Sequence, residues 1–229
     1  MIAKGATEIS KVCLGENELS KVCLGSEVLW PTSPPLPYDS KIEYLGGGSE
    51  VYIPTNIILT NNHRVEIKLS IRVVQSNQAI FGYGISSTNA RFLLMTAPSS
   101  SLRSYWQGST VSMTYAANTV YEILWNKNNV VYKDSDGNII TSGNLTNLNF
   151  STTYPITIFG TRTSETASGY SASCNMYYFK IYNENDELIL DLIPVRKGQI
   201  GYMFDKVSGQ LFENAGSGSF TLGPDKTTT

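Results

Sequence analysis

Residues 64–73, Arg-Val-Glu-Ile-Lys-Leu-Ser-Ile-Arg-Val, alternate polar and apolar side chains without a break. A period of two puts every apolar group on one face of an extended chain, which a helix of period 3.6 cannot do. The segment is predicted to be a half-buried strand. Residues 111–115 alternate in the same way, and further strands are predicted at 51–53, 79–83, 91–95, 102–106, 120–125, 130–133, 156–159, 176–182, 188–193, 201–204 and 210–212. Asp136-Gly137, between 130–133 and Ile139-Ile140, is a hairpin signal, and Asn183-Glu184-Asn185-Asp186 reads as another turn. No segment sustains helical periodicity. Many short strands closed by tight turns predict an all-β, two-sheet antiparallel sandwich. The 14 Tyr and 19 Gly, with abundant Ser, Thr and Asn, suit pleated surfaces and turns. A chain of 229 residues can bury a full core without covalent staples.

The first thirty residues read differently. Glu8-Ile9-Ser10-Lys11-Val12-Cys13-Leu14-Gly15 is followed by Glu18-Leu19-Ser20-Lys21-Val22-Cys23-Leu24-Gly25, and Val28-Leu29-Trp30 begins a third, partial copy. The repeat is ten residues long, with Leu29 in register with Ile9 and Leu19. Val and Leu two apart share a strand face, Cys lies on the other, and Gly-Glu-Asn and Gly-Ser supply the turns. So few units cannot bury their own apolar face. The arm, residues 1–30, is therefore expected to dock on its own domain, a sister subunit or a scaffold through Val12, Leu14, Val22, Leu24, Leu29 and Trp30. Residues 31–37 form a proline-rich, semi-rigid linker. The sandwich is expected at 38–224 and a short tail at 225–229.

Charge and residue inventory exclude several functions. Seventeen Lys and Arg against nineteen Asp and Glu give a net charge of −2, no electrostatic footprint for nucleic acid or an anionic membrane. His63 is the only histidine, and no partner spacing around it supports a zinc site, a Ser-His-Asp triad or a Cys-His dyad. Cys13, Cys23 and Cys174 lack metal-ligand spacing and read as small buried hydrophobes, although a Cys13–Cys23 disulfide is an alternative. No cofactor and no metal are expected. The N-terminus lacks an apolar core of signal-peptide length, and no apolar run approaches the roughly 20 residues that span a bilayer. The expectation is synthesis in a cytoplasm, with release, if any, by a route such as lysis.

Three stretches carry a family likeness: residues 42–45 leading into 51–55 and 60–67, residues 177–182 with 191–206, and Gly209-Gln210-Leu211-Phe212-Glu213-Asn214-Ala215-Gly216-Ser217-Gly218-Ser219-Phe220-Thr221-Leu222-Gly223-Pro224. Together they resemble the concanavalin A-like (laminin G-like) sandwich domains of bacteriophage virion proteins. The Lys-Val-Cys-Leu-Gly arm resembles the short repeats that precede such domains. The likeness implies a jelly-roll fold that often binds glycans, in a tail, fibre or capsid-surface component assembled in a bacterial cytoplasm. This chain departs from the pattern at Pro54, where many relatives place an acidic residue. Gly216, Gly218 and Gly223 are read as permitting tight bends.

Carbohydrate sites combine an aromatic platform with polar hydrogen-bond partners. The candidates are Tyr105 and Trp106, in Arg103-Ser104-Tyr105-Trp106-Gln107, with Tyr83, Asn89 and Arg91, and separately Trp125 before Asn126-Lys127-Asn128-Asn129. Trp106 and Trp125 also suit the core of a sandwich this size. Glu184-Asn185-Asp186-Glu187 lies in a turn, so it cannot line a glycosidase cleft as alternate strand residues would. Asp134-Ser135-Asp136-Gly137-Asn138 resembles half of a calcium loop but lacks the downstream acidic ligand, and reads as a hairpin turn. Asp191 and Asp205, beside Lys206 and Arg196-Lys197, read as local ion pairs. The expected function is a non-catalytic virion structural protein, anchored to other virion proteins by residues 1–30 and presenting its sandwich to host-surface glycans. Homo-oligomerisation, a trimer among the options, is compatible, although no heptads specify one. A purely architectural decoration protein and a glycoside hydrolase on the same fold are the alternatives.

Overall fold

The computed structural model describes residues 36–84, 91–106, 108–146, 154–161 and 172–226, and the backbone of 13–14, 17–18, 22–24, 27–30, 162 and 167–168. The chain divides into two compact units, Met1–Pro37 and Tyr38–Thr229.

In the first unit, β1 (Cys13–Leu14) pairs antiparallel with β2 (Asn17–Glu18), and β3 (Val22–Leu24) with β4 (Glu27–Trp30). The registers repeat: Cys13 faces Glu18 and Leu14 faces Asn17, while ten residues on Cys23 faces Val28 and Leu24 faces Glu27. Each decamer is thus one hairpin. Two residues separate the strands, Gly15-Glu16 and Gly25-Ser26, and Gly-X is the chemistry of a two-residue hairpin loop. Asn17, expected in the turn, instead opens β2. Val12 lies outside the described residues.

The second unit contains β5 (Ser40–Lys41), β6 (Leu45–Gly46), β7 (Ile53–Pro54), β8 (Arg64–Ile71), β9 (Gln78–Gly84), β10 (Arg91–Ala97), β11 (Ser101–Trp106) and β12 (Ser109–Thr114). These are followed by β13 (Val120–Asn126), β14 (Asn129–Lys133), β15 (Ile139–Asn144), β16 (Thr157–Ile158), β17 (Thr161–Arg162) and β18 (Ala167–Ser168). Last come β19 (Cys174–Tyr182), β20 (Leu188–Lys197), β21 (Ile200–Asp205), β22 (Leu211–Phe212) and β23 (Thr221–Leu222). No helix occurs among the described residues. The strands form two sheets, and the fold is the all-β sandwich expected. The larger sheet runs β15-β14-β13-β8-β19-β20-β21-β22, with β5, β6 and β23 attached; the smaller runs β12-β11-β10-β9-β16-β7, with β17 and β18 attached. Pairing is antiparallel except where Arg162 faces Tyr83.

Alternation explains the layers. Val65, Ile67, Leu69 and Ile71 of β8 are buried, whereas Arg64, Glu66 and Lys68 are half-exposed. The core is an aromatic cluster joining the sheets. Phe81, Phe92 and Trp106 of the smaller sheet meet Trp125 and Phe179 of the larger. Phe92 stacks on Trp125 with centroids 4.2 Å apart, and Trp106 meets Phe92 edge-on at 4.9 Å. One buried polar bridge crosses the sandwich: the Ser104 and Tyr132 hydroxyls lie 2.7 Å apart, and Tyr132 donates to the Val111 carbonyl at 3.1 Å. Burial pushes the Tyr132 phenol up, and likewise pushes the Cys174 thiol up to about 12.

Some expected strands shorten where sequence chemistry ends them. The strand expected at 156–159 keeps only Thr157–Ile158, because Phe159 takes the left-handed region at φ 60° although fully buried. The Phe159 ring lies against Gly47, where an added Cβ would stand 2.2 Å from it, and its centroid is 5.3 Å from that of Phe220. The C-terminal glycines Gly216 and Gly218 lie in a bend, as expected, and Gly223 does not. Gly216, Gly218 and Gly223 do not have positive φ; they are required because backbone lies against them. A Cβ on Gly216 would stand 2.0 Å from the Glu50 carbonyl oxygen. Asn214 clasps this loop: its Oδ1 accepts from the Tyr52 and Gly216 N–H groups, and its Nδ2 donates to the Gly216 and Gly218 carbonyls.

Candidate functional site

Tyr105 and Trp106 are neighbours in β11 and therefore point to opposite faces. Leu102, Ser104 and Trp106 face the core; Ser101, Arg103 and Tyr105 face outward and are half-exposed. Strand pairing sets their neighbours. Tyr105 lies between Leu93 of β10 and Thr110 of β12, and Arg103 between Met95 and Ser112. Thr110, Ser112 and Thr114 are exposed, so the β12 edge of this face is lined with hydroxyls, while β10 contributes buried Leu93 and half-exposed Met95.

Two guanidinium groups converge on Tyr105. Arg91 places its guanidinium carbon 5.8 Å from the ring centroid, and Arg103 donates from Nη1 to the phenol oxygen at 3.3 Å. Arg103 Nε also donates to Ser101 Oγ at 3.3 Å. The Arg91 stem runs beside Gly84, where an added Cβ would stand 3.6 Å from Cγ. Thr161 Oγ1 borders this spot, buried and without a hydrogen-bond partner among the described residues. Among the described residues no carboxylate pairs with Arg103.

The expected aromatic platform is corrected in three places. Trp106, Trp125 and Tyr83 are each 1% exposed, and the core takes them because a sandwich this size needs large apolar fillers. Asn89 lies outside the described residues. Arg91 and Tyr105 are the two candidates that the fold brings together, and Arg103 joins them. Asn126 and Asn129, at the second candidate, pair to close the β13–β14 hairpin, with Lys127 at φ 55°.

The outer face of the larger sheet contrasts with this one. Arg64 pairs with Glu66 and with Asp186 at 3.1 Å, and Lys68 pairs with Glu122 at 3.3 Å. The Arg64 guanidinium covers the Tyr182 ring at 3.5 Å, and Lys180 lies 5.3 Å from the Tyr178 centroid. Burial, with Glu122 and Glu66 nearby, pushes the Tyr178 phenol up. These charges satisfy one another.

The remaining acidic motifs are structural. Asp134 Oδ1 accepts from the Asp136 and Asn138 N–H groups at 3.0 and 2.9 Å, closing the hairpin at Gly137, φ 87°. Hydrogen bonds from Asn138 hold that carboxyl below its ordinary range. Asn183 Oδ1 accepts from the Asn185 and Glu187 N–H groups, forming the turn expected there. Asp191 Oδ2 accepts from Lys206 Nζ at 2.9 Å, the ion pair expected, while Arg196 reaches Asp225 instead. Buried Asp205 accepts from the N–H groups of Asp191, Val207 and Ser208, organising the turn after β21.

No protein-family model and no curated protein match the chain. Among solved structures it is similar to a protein of Bacteroides ovatus ATCC 8483 provisionally described as carbohydrate binding. The TM-score is 0.53 at 12% identity, over 82% of this chain and 61% of that one. At that identity the likeness shows the fold. This chain spans about 61% of the length of the structure it matches.

Proposed function

We propose that this chain is a non-catalytic carbohydrate-binding sandwich, fastened to a larger particle by its N-terminal arm. The observation that carries the binding reading is the convergence of Arg91 and Arg103 on half-exposed Tyr105, beside the exposed hydroxyls of β12. Such a face presents fixed donors, adaptable hydroxyls and an aromatic edge, which a sugar's hydroxyl groups and C–H surface can match. The similarity to a protein described as carbohydrate binding supports the reading. The absence of catalysis rests on the acidic groups. Glu66, Glu122, Asp191 and Asp225 each have a cationic partner, whereas glycoside hydrolysis needs two carboxyl groups free to flank one bond.

The arm reading rests on the repeated hairpins. An isolated two-stranded hairpin is marginal in water, so strands this short need a partner to cover them. The setting we propose is a bacteriophage virion, on the likeness of the arm and of the C-terminal motifs; a decoration protein without a ligand is the alternative. Glycan-array binding separates these readings. Tyr105→Ala is expected to abolish array binding while leaving the melting temperature unchanged. Binding that survives Tyr105→Ala overturns this site, and a wild-type chain that binds no glycan favours the architectural role.

A further inference from the structure

We propose that the β11–β12 face holds an internal segment of a linear glycan, laid along the strands, and not a single terminal sugar; this inference rests on the carbohydrate-binding reading above. Strand pairing sets three outward side-chain pairs in line: Ser101 opposite Thr114, Arg103 opposite Ser112, and Tyr105 opposite Thr110. Opposite residues of an antiparallel pair lie about 5 Å apart, and the next outward pair follows about 7 Å along the strand. The three pairs therefore form a stripe about 14 Å long. All six side chains are exposed or half-exposed, while Leu102, Ser104, Val111 and Met113 between them are buried. Arg103 is the one charged residue between Ser101 and Thr114.

Hydrogen bonding makes the β11 side of the stripe continuous. Arg103 donates from Nε to Ser101 Oγ and from Nη1 to Tyr105 Oη, both at 3.3 Å, so one guanidinium ties the three outward side chains of the strand together. A guanidinium carries five N–H donors, so donors remain for a ligand. The β12 side adds the exposed hydroxyls of Thr110, Ser112 and Thr114, each both donor and acceptor. β12 is the outermost strand of the smaller sheet, so among the described residues no strand of that sheet walls the stripe along its outer edge. A single terminal sugar is held best by a pocket that closes around it, and an open stripe of short side chains does not enclose one. The stripe instead presents a polar pair three times over, which matches a polymer that presents its own hydroxyl groups at regular intervals. Tyr105, at one end, supplies an aromatic ring for the C–H face of a sugar. An extended peptide is the less favoured chain, because its backbone groups seek a strand edge and this face offers side chains alone.

The test titrates the full chain in solution with oligosaccharides of one to six units from the cello-, malto-, laminari-, xylo- and manno- series and with a Gly-Ser repeat peptide, alongside a broad glycan array. In at least one series the tetramer is expected to bind about tenfold or more tightly than the monomer, and the gain is expected to level off once the stripe is filled. The double variant Ser112→Ala/Thr114→Ala is expected to weaken the tetramer about fivefold and to flatten the length dependence, with the melting temperature unchanged because both side chains are exposed. Equal binding of monomer and tetramer, lost in Tyr105→Ala, overturns the linear-chain assignment and leaves the carbohydrate reading intact. Array binding confined to terminal sugars of branched glycans does the same. A length dependence that survives Ser112→Ala/Thr114→Ala overturns the placement along β12. Peptide binding that matches the oligosaccharides and is lost in the double variant overturns the saccharide assignment. No binding to any series and none on the array overturns both readings.

Discussion

At the scale of single residues, burial decides which substitutions touch stability and which touch binding. Trp125 stacks on Phe92 and is 1% exposed, so Trp125→Ala leaves a cavity between the sheets. It is expected to cost about 3–5 kcal/mol, read as a lower denaturation midpoint. His63 gives a pH signature. Its Nδ1 accepts from the Thr60 N–H at 3.1 Å and lies 2.9 Å from the Thr60 hydroxyl, a geometry that requires the neutral ring. Burial lowers its pKa below 6.5. Because the folded value lies below the unfolded one, the contribution is present above the unfolded pKa and is lost as pH falls through the folded value. Melting temperature is therefore expected to begin falling below about pH 6.5, before carboxylates titrate near pH 4, and His63→Gln is expected to remove that first step.

At the scale of elements, the strands were legible wherever alternation was long. Arg64–Ile71 announces its buried face residue by residue. Two-residue strands such as Leu45–Gly46 and Thr221–Leu222 were not, since contacts distant in sequence create them. The candidate site was half legible. Tyr105 and Trp106 look like one platform in sequence, yet strand alternation separates them, and the polar set Ser101-Arg103-Tyr105 was the signal for the outward face. Arg103 could have been found from the acid-free stretch around it. The bend at Gly216 and Gly218 was legible, but the backbone packed against these glycines was not, because sequence does not distinguish a residue that must bend from one that must admit a neighbour. Two substitutions separate those roles. Gly216→Ala meets the Glu50 carbonyl at 2.0 Å and is expected to cost about 1–3 kcal/mol from crowding. Gly137→Ala meets nothing within 4 Å, and its cost, about 1 kcal/mol, comes from φ 87° alone. Urea unfolding of the two variants measures the difference.

At the scale of the whole molecule, the sandwich carries its own core. The aromatic cluster lies wholly within Tyr38–Thr229. Deleting residues 1–30 is expected to leave the melting temperature and circular dichroism of the sandwich unchanged and, on the anchoring role proposed above, to abolish incorporation into a particle. A truncated chain that still assembles contradicts the arm's role.

The hairpin registers have a consequence for how such a protein can diversify. Since Cys13–Glu18 and Cys23–Val28 are equivalent pairs, copying one decamer within the gene inserts a complete hairpin and displaces nothing after it. On the anchoring role proposed above, residues 1–30 would lengthen in whole modules, by replication slippage, while Tyr38–Thr229 evolves independently.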